Sequence, residues 1–251
     1  MGDRTRRKSQ IVLTPEETRK TIGNNLSFAA AEAYKLLRTN LDFSIPAEKG
    51  CKVIGVTSAL RGEGKSTTAV NIAYTMAQSG GKVLLLEADL RLPTVSRRLG
   101  VKSRPGISNL LIGQCSGNEI LQKSGQIPNL WVASAGDIPP NPAELLGSQQ
   151  MALTIQAMAN VFDVMILDLP PVTAVSDALI VSKLVDGMVI VVRQDYCDRG
   201  ALDEVVRQLR FVDGKILGFV MTGADTQKKG YKRYGKPYGD YKSRATASSE
   251  V

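Results

Sequence analysis

The sequence predicts an α/β fold, a mostly parallel β-sheet flanked by helices on both faces. Three observations predict it. First, apolar, β-branched runs at 52–57, 82–89, 162–168, 187–192 and 216–221 read as buried strands. Second, segments with helical apolar spacing at 68–77, 143–159 and 200–212 lie between them, and strands alternating with helices imply a parallel sheet covered on both sides. Third, the first strand runs into Ala59-Leu60-Arg61-Gly62-Glu63-Gly64-Lys65-Ser66-Thr67 and then directly into a helix. Strand, glycine-bearing loop and helix together form a phosphate-binding unit.

The loop matches the pattern [A/G]-x4-G-K-[S/T], so the chain reads as a P-loop NTPase fold. Its glycines let the backbone N–H groups of Arg61, Gly62, Glu63, Gly64, Lys65, Ser66 and Thr67 curl around a phosphate chain. The helix N-terminus adds partial positive charge. Lys65 is placed to reach the β- and γ-phosphates of ATP, and the Ser66 hydroxyl to ligate Mg2+. The second strand ends in Glu87-Ala88-Asp89, followed by Leu90-Arg91. Two acids two residues apart on a strand point to one face, which suits a Mg-phosphate site at the mouth of a parallel sheet. In the stretch Val164-Met165-Ile166-Leu167-Asp168-Leu169-Pro170-Pro171, four apolar residues deliver an aspartate before two prolines end the strand, a Walker B pattern whose acid holds Mg2+.

Composition narrows the chemistry. The 251 residues contain no histidine, which removes His-based triads and imidazole acid–base catalysis. Three isolated cysteines suit reduced thiols rather than a disulfide framework. No apolar run approaches a membrane span and no signal-peptide core follows the basic N-terminus, so a cytoplasmic chain is expected. The net charge of +8 sits at the ends: +3 over residues 1–8 and +4 over residues 225–251, on a nearly neutral body. Basic ends can touch an anionic surface, but no nucleic-acid motif accompanies them.

Residues 1–25 read as a flexible basic leader and residues 26–224 as the P-loop domain. Ser27 is a candidate N-cap for a helix running to about residue 43. On it Glu32, Lys35 and Arg38 share a flank, while Ala33, Leu36, Leu37 and Leu41 supply an apolar side. Residues 93–150 read as an irregular connection with a turn or short helix at 106–113 and a strand at 129–134, followed by a helix over 143–159. Beyond residue 224 the chain changes character: Tyr231, Tyr234, Tyr238 and Tyr241 fall within eleven residues among Gly, Pro, Lys and Arg. That composition predicts a disordered tail. Exposed tyrosines beside an ATP-Mg site read as phosphate acceptors.

Taken together, these residues resemble the bacterial tyrosine kinases of capsular and exopolysaccharide systems, in the form of a stand-alone kinase that works with a separate membrane adaptor. The resemblance runs from about Glu32 to the C-terminus. Residues 59–66 are similar to the family's Walker A, 84–91 to its Walker A′, 166–171 to its Walker B, and the tyrosine cluster to its autophosphorylation tail. Glu32-x-x-Lys35-x-x-Arg38 resembles the helix that joins subunits in a ring, and 139–146 resembles a further family stretch. Lys35 replaces the commoner arginine, keeping the charge without the bidentate fork, and Glu87 replaces the commoner aspartate. Thr222 stands where related ATPases often carry an adenine-reading asparagine.

The resemblance implies transfer of the γ-phosphoryl of ATP to a tyrosine hydroxyl. Lys65 and the loop would hold the phosphates, Ser66, Asp89 and Asp168 the Mg2+. Glu87 or Asp89 would act as base, and Arg91 would orient the acids or bind phosphate. It further implies a homo-oligomeric ring, a transmembrane polysaccharide co-polymerase or adaptor that activates the kinase at the inner face of the membrane, a cognate tyrosine phosphatase, and other protein substrates. Two alternatives on the same fold are a chromosome- or division-site-positioning ATPase without protein phosphotransfer and a carbohydrate or nucleotide kinase. The positioning ATPases carry a signature lysine five residues before the loop lysine, where this chain has Leu60.

Overall fold

The computed structural model describes residues 21–46, 50–125 and 127–224. Residues 1–20 of the expected leader, and the whole expected tail 225–251 with its four tyrosines, lie outside the described residues.

Strand β1 (Lys52–Ser58) is apolar on both faces and sits inside the sheet. It pairs in parallel with β5 (Val164–Asp168) on one side and β6 (Gly187–Arg193) on the other. β2 (Val83–Glu87) flanks β5, β4 (Leu130–Ala133) flanks β2, and β7 (Ile216–Thr222) extends the sheet beyond β6, all in parallel. Among the described residues only the short edge strand β3 (Leu121–Lys123) runs antiparallel, against β4. The order is β3-β4-β2-β5-β1-β6-β7. The three strands with functional signals therefore lie side by side as β2-β5-β1. Because they are parallel, their carboxyl ends open on one edge of the sheet.

Alternating strand residues feed two cores. Ile54, Val56, Leu85, Ile166 and Val189 pack beneath α1 (Phe28–Ser44) and α2 (Lys65–Gln78). Val53, Leu84, Leu86, Met165, Leu167 and Ile190 face the other way. That second face is covered by α4 (Ile107–Leu111), α5 (Gly117–Ile120), α6 (Pro142–Leu146), α7 (Gln149–Ala159), α8 (Asp177–Val181) and α9 (Arg199–Phe211). Burial on both faces is why these strands read as continuous apolar runs.

The structure departs from expectation in several places. The helix expected over 143–159 is two helices. The chain breaks at Gly147, and the Ser148 hydroxyl accepts from Met151 N to start α7 afresh. The connection 93–150 also holds α3 (Val95–Leu99), α5 and β3, too short to leave a periodic signature. Ser27 does cap α1, accepting from Ala30 N. The expected single apolar side of α1 is divided, however: Leu37 and Leu41 face α2, whereas Ala33 and Leu36 are exposed. The stretch 21–25, read as part of a loose leader, is packed on α2. Ile22 is buried and the Asn71 side chain binds Gly23 N and Thr21 O. No helix among the described residues is long and apolar enough to cross a membrane.

Candidate active site

The loop between β1 and α2 turns because Gly62 and Gly64 adopt φ of 88° and 94°, the left-handed region that suits glycine. Its carbonyls are then tied down from outside. Thr173 Oγ1 donates to Ala59 O, Ser58 Oγ to Leu60 O, Tyr196 Oη to Arg61 O, Arg193 Nη1 to Gly62 O and Thr222 Oγ1 to Glu63 O. Each of the carbonyls from 59 to 63 therefore accepts a side-chain donor. Within the loop, the buried Glu63 carboxylate takes Leu60 N at 2.6 Å and Arg193 N at 3.2 Å. Carbonyls held outward leave N–H groups turned inward, the arrangement of an anion-binding nest.

Lys65 leaves the loop toward the acids. Its Nζ lies 2.6 Å from Asp89 Oδ2, 3.8 Å from Asp168 Oδ1 and 3.4 Å from Ser66 Oγ. Burial opposes the ammonium, but Asp168 and Asp89 outweigh it and hold its pKa above the ordinary lysine value. Asp89 also accepts from Leu92 N at 3.0 Å, which folds the chain back after β2. Asp168 ends β5 opposite Glu87, with its side chain 1% exposed. Neither of its oxygens has a hydrogen-bond partner among the described residues. Burial pushes this carboxyl above its usual range, and Lys65 offsets only part of that.

Glu87 is placed differently from the other acids. Oε1 accepts from Thr94 N and Val95 N, and Oε2 from Ala135 N. The side chain is fully buried and holds the start of α3 and the end of β4. Burial raises its pKa while these donors pull it down. Arg91 turns away from Lys65 as well. Its Nε and Nη2 grip Asp177 Oδ2 and Oδ1 at 2.9 and 3.0 Å, pinning the first residue of α8. Sequence reasoning missed Asp177, Thr173, Arg193 and Tyr196, which lie far along the chain from the loop they support. It noted Thr222 only as standing where related ATPases often carry an adenine-reading asparagine, and gave it no role.

A hard cation fits these residues. An orphaned, buried carboxylate beside a hydroxyl and a second acid is an oxygen site waiting for charge. Asp168, Ser66 and Asp89 would hold it. Among the described residues there is no cluster of three or more Asp, Glu, Cys or His side chains that forms a cage of its own. That suits Mg2+, which is bound by one or two carboxylates together with substrate phosphates.

A family model described as an AAA domain matches residues 51–216. The cell-division ATPase MinD of Pyrococcus furiosus, 22% identical over 68% of this chain with a TM-score of 0.59, shares the fold. The chain is 37% identical over 205 residues to tyrosine-protein kinase YwqD of Bacillus subtilis, 82% of this chain and 85% of that one. It is 34% identical over 209 residues to tyrosine-protein kinase CpsD of Streptococcus agalactiae, covering 83% and 89%. The chain belongs to the bacterial tyrosine kinases. The kinase domain of Escherichia coli tyrosine kinase ETK superposes with a TM-score of 0.76 at 27% identity, covering 91% of this kinase and 88% of that chain. Membership of this family implies the use of a nucleotide, and the positioning-ATPase reading is reduced to a shared fold.

The remaining expected site, on α1, is partly internal. Glu32 and Lys35 pair with each other at 2.7 Å on the surface, and Arg38 Nη1 donates to Thr75 O of α2 at 3.2 Å.

Proposed function

We propose that this kinase transfers the γ-phosphoryl of Mg-ATP to tyrosines of its own C-terminal cluster, Tyr231, Tyr234, Tyr238 and Tyr241. The observation that carries this reading is the Lys65–Asp89 pair beside the orphaned Asp168 at the mouth of the sheet. When the phosphate chain enters the loop, Lys65 exchanges Asp89 for the β- and γ-phosphates. That frees one Asp89 oxygen as the base and leaves the other to the cation. The tyrosine oxygen attacks the γ-phosphorus and its proton passes to Asp89. The bond from the β,γ-bridging oxygen to the γ-phosphorus breaks, and ADP leaves. A phenol with pKa of about 10 needs such an acceptor. Asp89 suits the task better than Glu87, whose oxygens are committed to backbone N–H groups. Bound Mg2+ supplies charge neutralisation for the phosphates, while the loop N–H groups and Lys65 orient the donor. Arg91 acts by fixing the neighbouring α8 through Asp177.

The relatives and the sequence support a wider setting for this reading. The kinase works at the inner face of the membrane with a transmembrane adaptor, in capsule or exopolysaccharide synthesis and export. A ring built on Glu32, Lys35 and Arg38 presents one subunit's tail to the next. A tyrosine phosphatase resets the tail, and other proteins serve as further substrates. The test is peptide mass spectrometry after incubation with Mg-ATP, for the unaltered chain and Lys65→Met, with and without an adaptor fragment. Phosphate mapped to the four tail tyrosines and absent from the variant supports the reading. ATP hydrolysis with no phosphotyrosine in any arm sinks it.

A further inference from the structure

Arg98, on α3, has no part in the chemistry above. Its Nη1 donates to Thr67 Oγ1 at 3.1 Å and its Nε to Thr94 Oγ1 at 3.2 Å. No carboxylate among the described residues forms an ion pair with it. Burial works against its charge and lowers its pKa below the ordinary arginine value, although a guanidinium stays charged at neutral pH. A half-buried cation with no carboxylate in ion-pair contact is costly to hold, and Asp168 and Glu87 compensate it only from a distance. Its field nevertheless reaches the catalytic groups, where it stabilises ionised Asp168 and opposes the charge on Lys65.

The position of Arg98 is specific. Thr67 follows Ser66 in the first turn of α2, where the loop N–H groups meet the α- and β-phosphates. Lys65 leaves that turn toward Asp89 and Asp168, whereas Arg98 approaches it from α3. Of the five N–H donors of a guanidinium, two are engaged by Thr67 and Thr94, which leaves three for a ligand.

We propose that Arg98 is a second phosphate-binding cation of the nucleotide site, serving the α/β end of the phosphate chain from the Thr67 side while Lys65 serves the β/γ end. This rests on the reading of the loop as an ATP site. The guanidinium is placed before the ligand arrives, so it adds affinity for diphosphate and triphosphate alike. It is a binding contact rather than part of the phosphotransfer chemistry.

The experiment is isothermal titration of the full chain with Mg-ADP and Mg-ATP, comparing the unaltered protein with Arg98→Gln and Arg98→Lys. Arg98→Gln is expected to weaken both nucleotides by about tenfold or more. Arg98→Lys, which keeps a point charge without the fork, should fall between the two. The thermal midpoint of the nucleotide-free Arg98→Gln protein should not drop, since the variant removes a poorly compensated charge. Unchanged affinity for both nucleotides would overturn the proposal. A loss confined to Mg-ATP would also overturn it, by moving the contact to the γ-phosphate. Equal affinity of Arg98→Lys and the unaltered chain decides against it even where Arg98→Gln does not fold. Failure of the unaltered chain to bind either nucleotide would instead sink the ATP-site reading, and this proposal with it.

Discussion

Asp168 is a costly side chain to bury, a carboxyl whose pairing is limited to Lys65 Nζ at 3.8 Å and the neighbouring Ser66 hydroxyl. Its folded pKa lies above the unfolded value of about 3.9, so between the two values the folded state holds the extra proton. Its contribution to stability is therefore largest on the acid side and is lost as pH rises through that window. Asp168→Asn should stabilise the nucleotide-free protein near neutrality by on the order of 1 kcal/mol and abolish phosphotransfer. Urea midpoints for both proteins from about pH 4 to about pH 8 check this, and a lower midpoint for the variant at neutral pH would contradict it. Glu87 and Asp89, two residues apart, should respond in opposite ways. Glu87→Gln turns an amide donor toward backbone N–H groups and should cost about 2–4 kcal/mol of stability. Asp89→Asn should fold and bind Mg-ADP, yet lose at least about a hundredfold in phosphotransfer rate. Denaturation and single-turnover assays separate the two. The sequence put these acids on an equal footing because strand periodicity sends both to one face. What divides them is the company of Thr94, Val95 and Ala135, residues that no local pattern connects to Glu87.

The phosphate loop is an element braced by donors from four other segments. Arg193 ends β6 and Tyr196 follows it, Thr222 ends β7, Thr173 follows β5 and Ser58 ends β1. Each tie is worth about 1 kcal/mol, and their joint effect is to hold the loop open to an anion before one binds. The double variant Tyr196→Phe, Thr222→Val should therefore weaken Mg-ADP binding several-fold while leaving the rate at saturating ATP nearly unchanged. A loss of saturated rate with intact affinity would show that the braces serve the chemistry instead. The loop, its strand and its helix were legible because glycine, lysine and serine at fixed spacing have one local solution. The braces were not, because each is a single hydroxyl or guanidinium in an unremarkable sequence. The helices α3, α5 and α8 share that obscurity: four or five residues carry no period, and Glu87, the Ser116–Glu119 capping box and Arg91 set their ends.

At the scale of the whole molecule, α1 leaves apolar surface uncovered. Phe28, Leu36 and Phe43 are 69%, 64% and 87% exposed and share one stripe at helical spacing, with Glu32 among them. The opposite side of the helix is anchored by Leu41 and by Arg38 on Thr75 O. The Glu32–Lys35 pair, half exposed, is worth only a few tenths of a kcal/mol within its own helix, so it is free to re-pair across a subunit boundary. A stripe of this kind next to exchangeable charge suits contact with a second copy better than solvent. In such a ring each tail is tethered beside a neighbour's site, and transfer in trans becomes independent of bulk concentration. Leu36→Asp with Phe43→Asp should therefore convert an oligomer to a monomer by light scattering, with little change in the unfolding midpoint because both side chains are already solvated. The variant should still bind Mg-ATP, and its tail phosphorylation should become first order in added kinase where the unaltered protein shows no such dependence. If the variant is monomeric and yet phosphorylates its tail at the original, concentration-independent rate, transfer occurs in cis and the ring is not what presents the tyrosines.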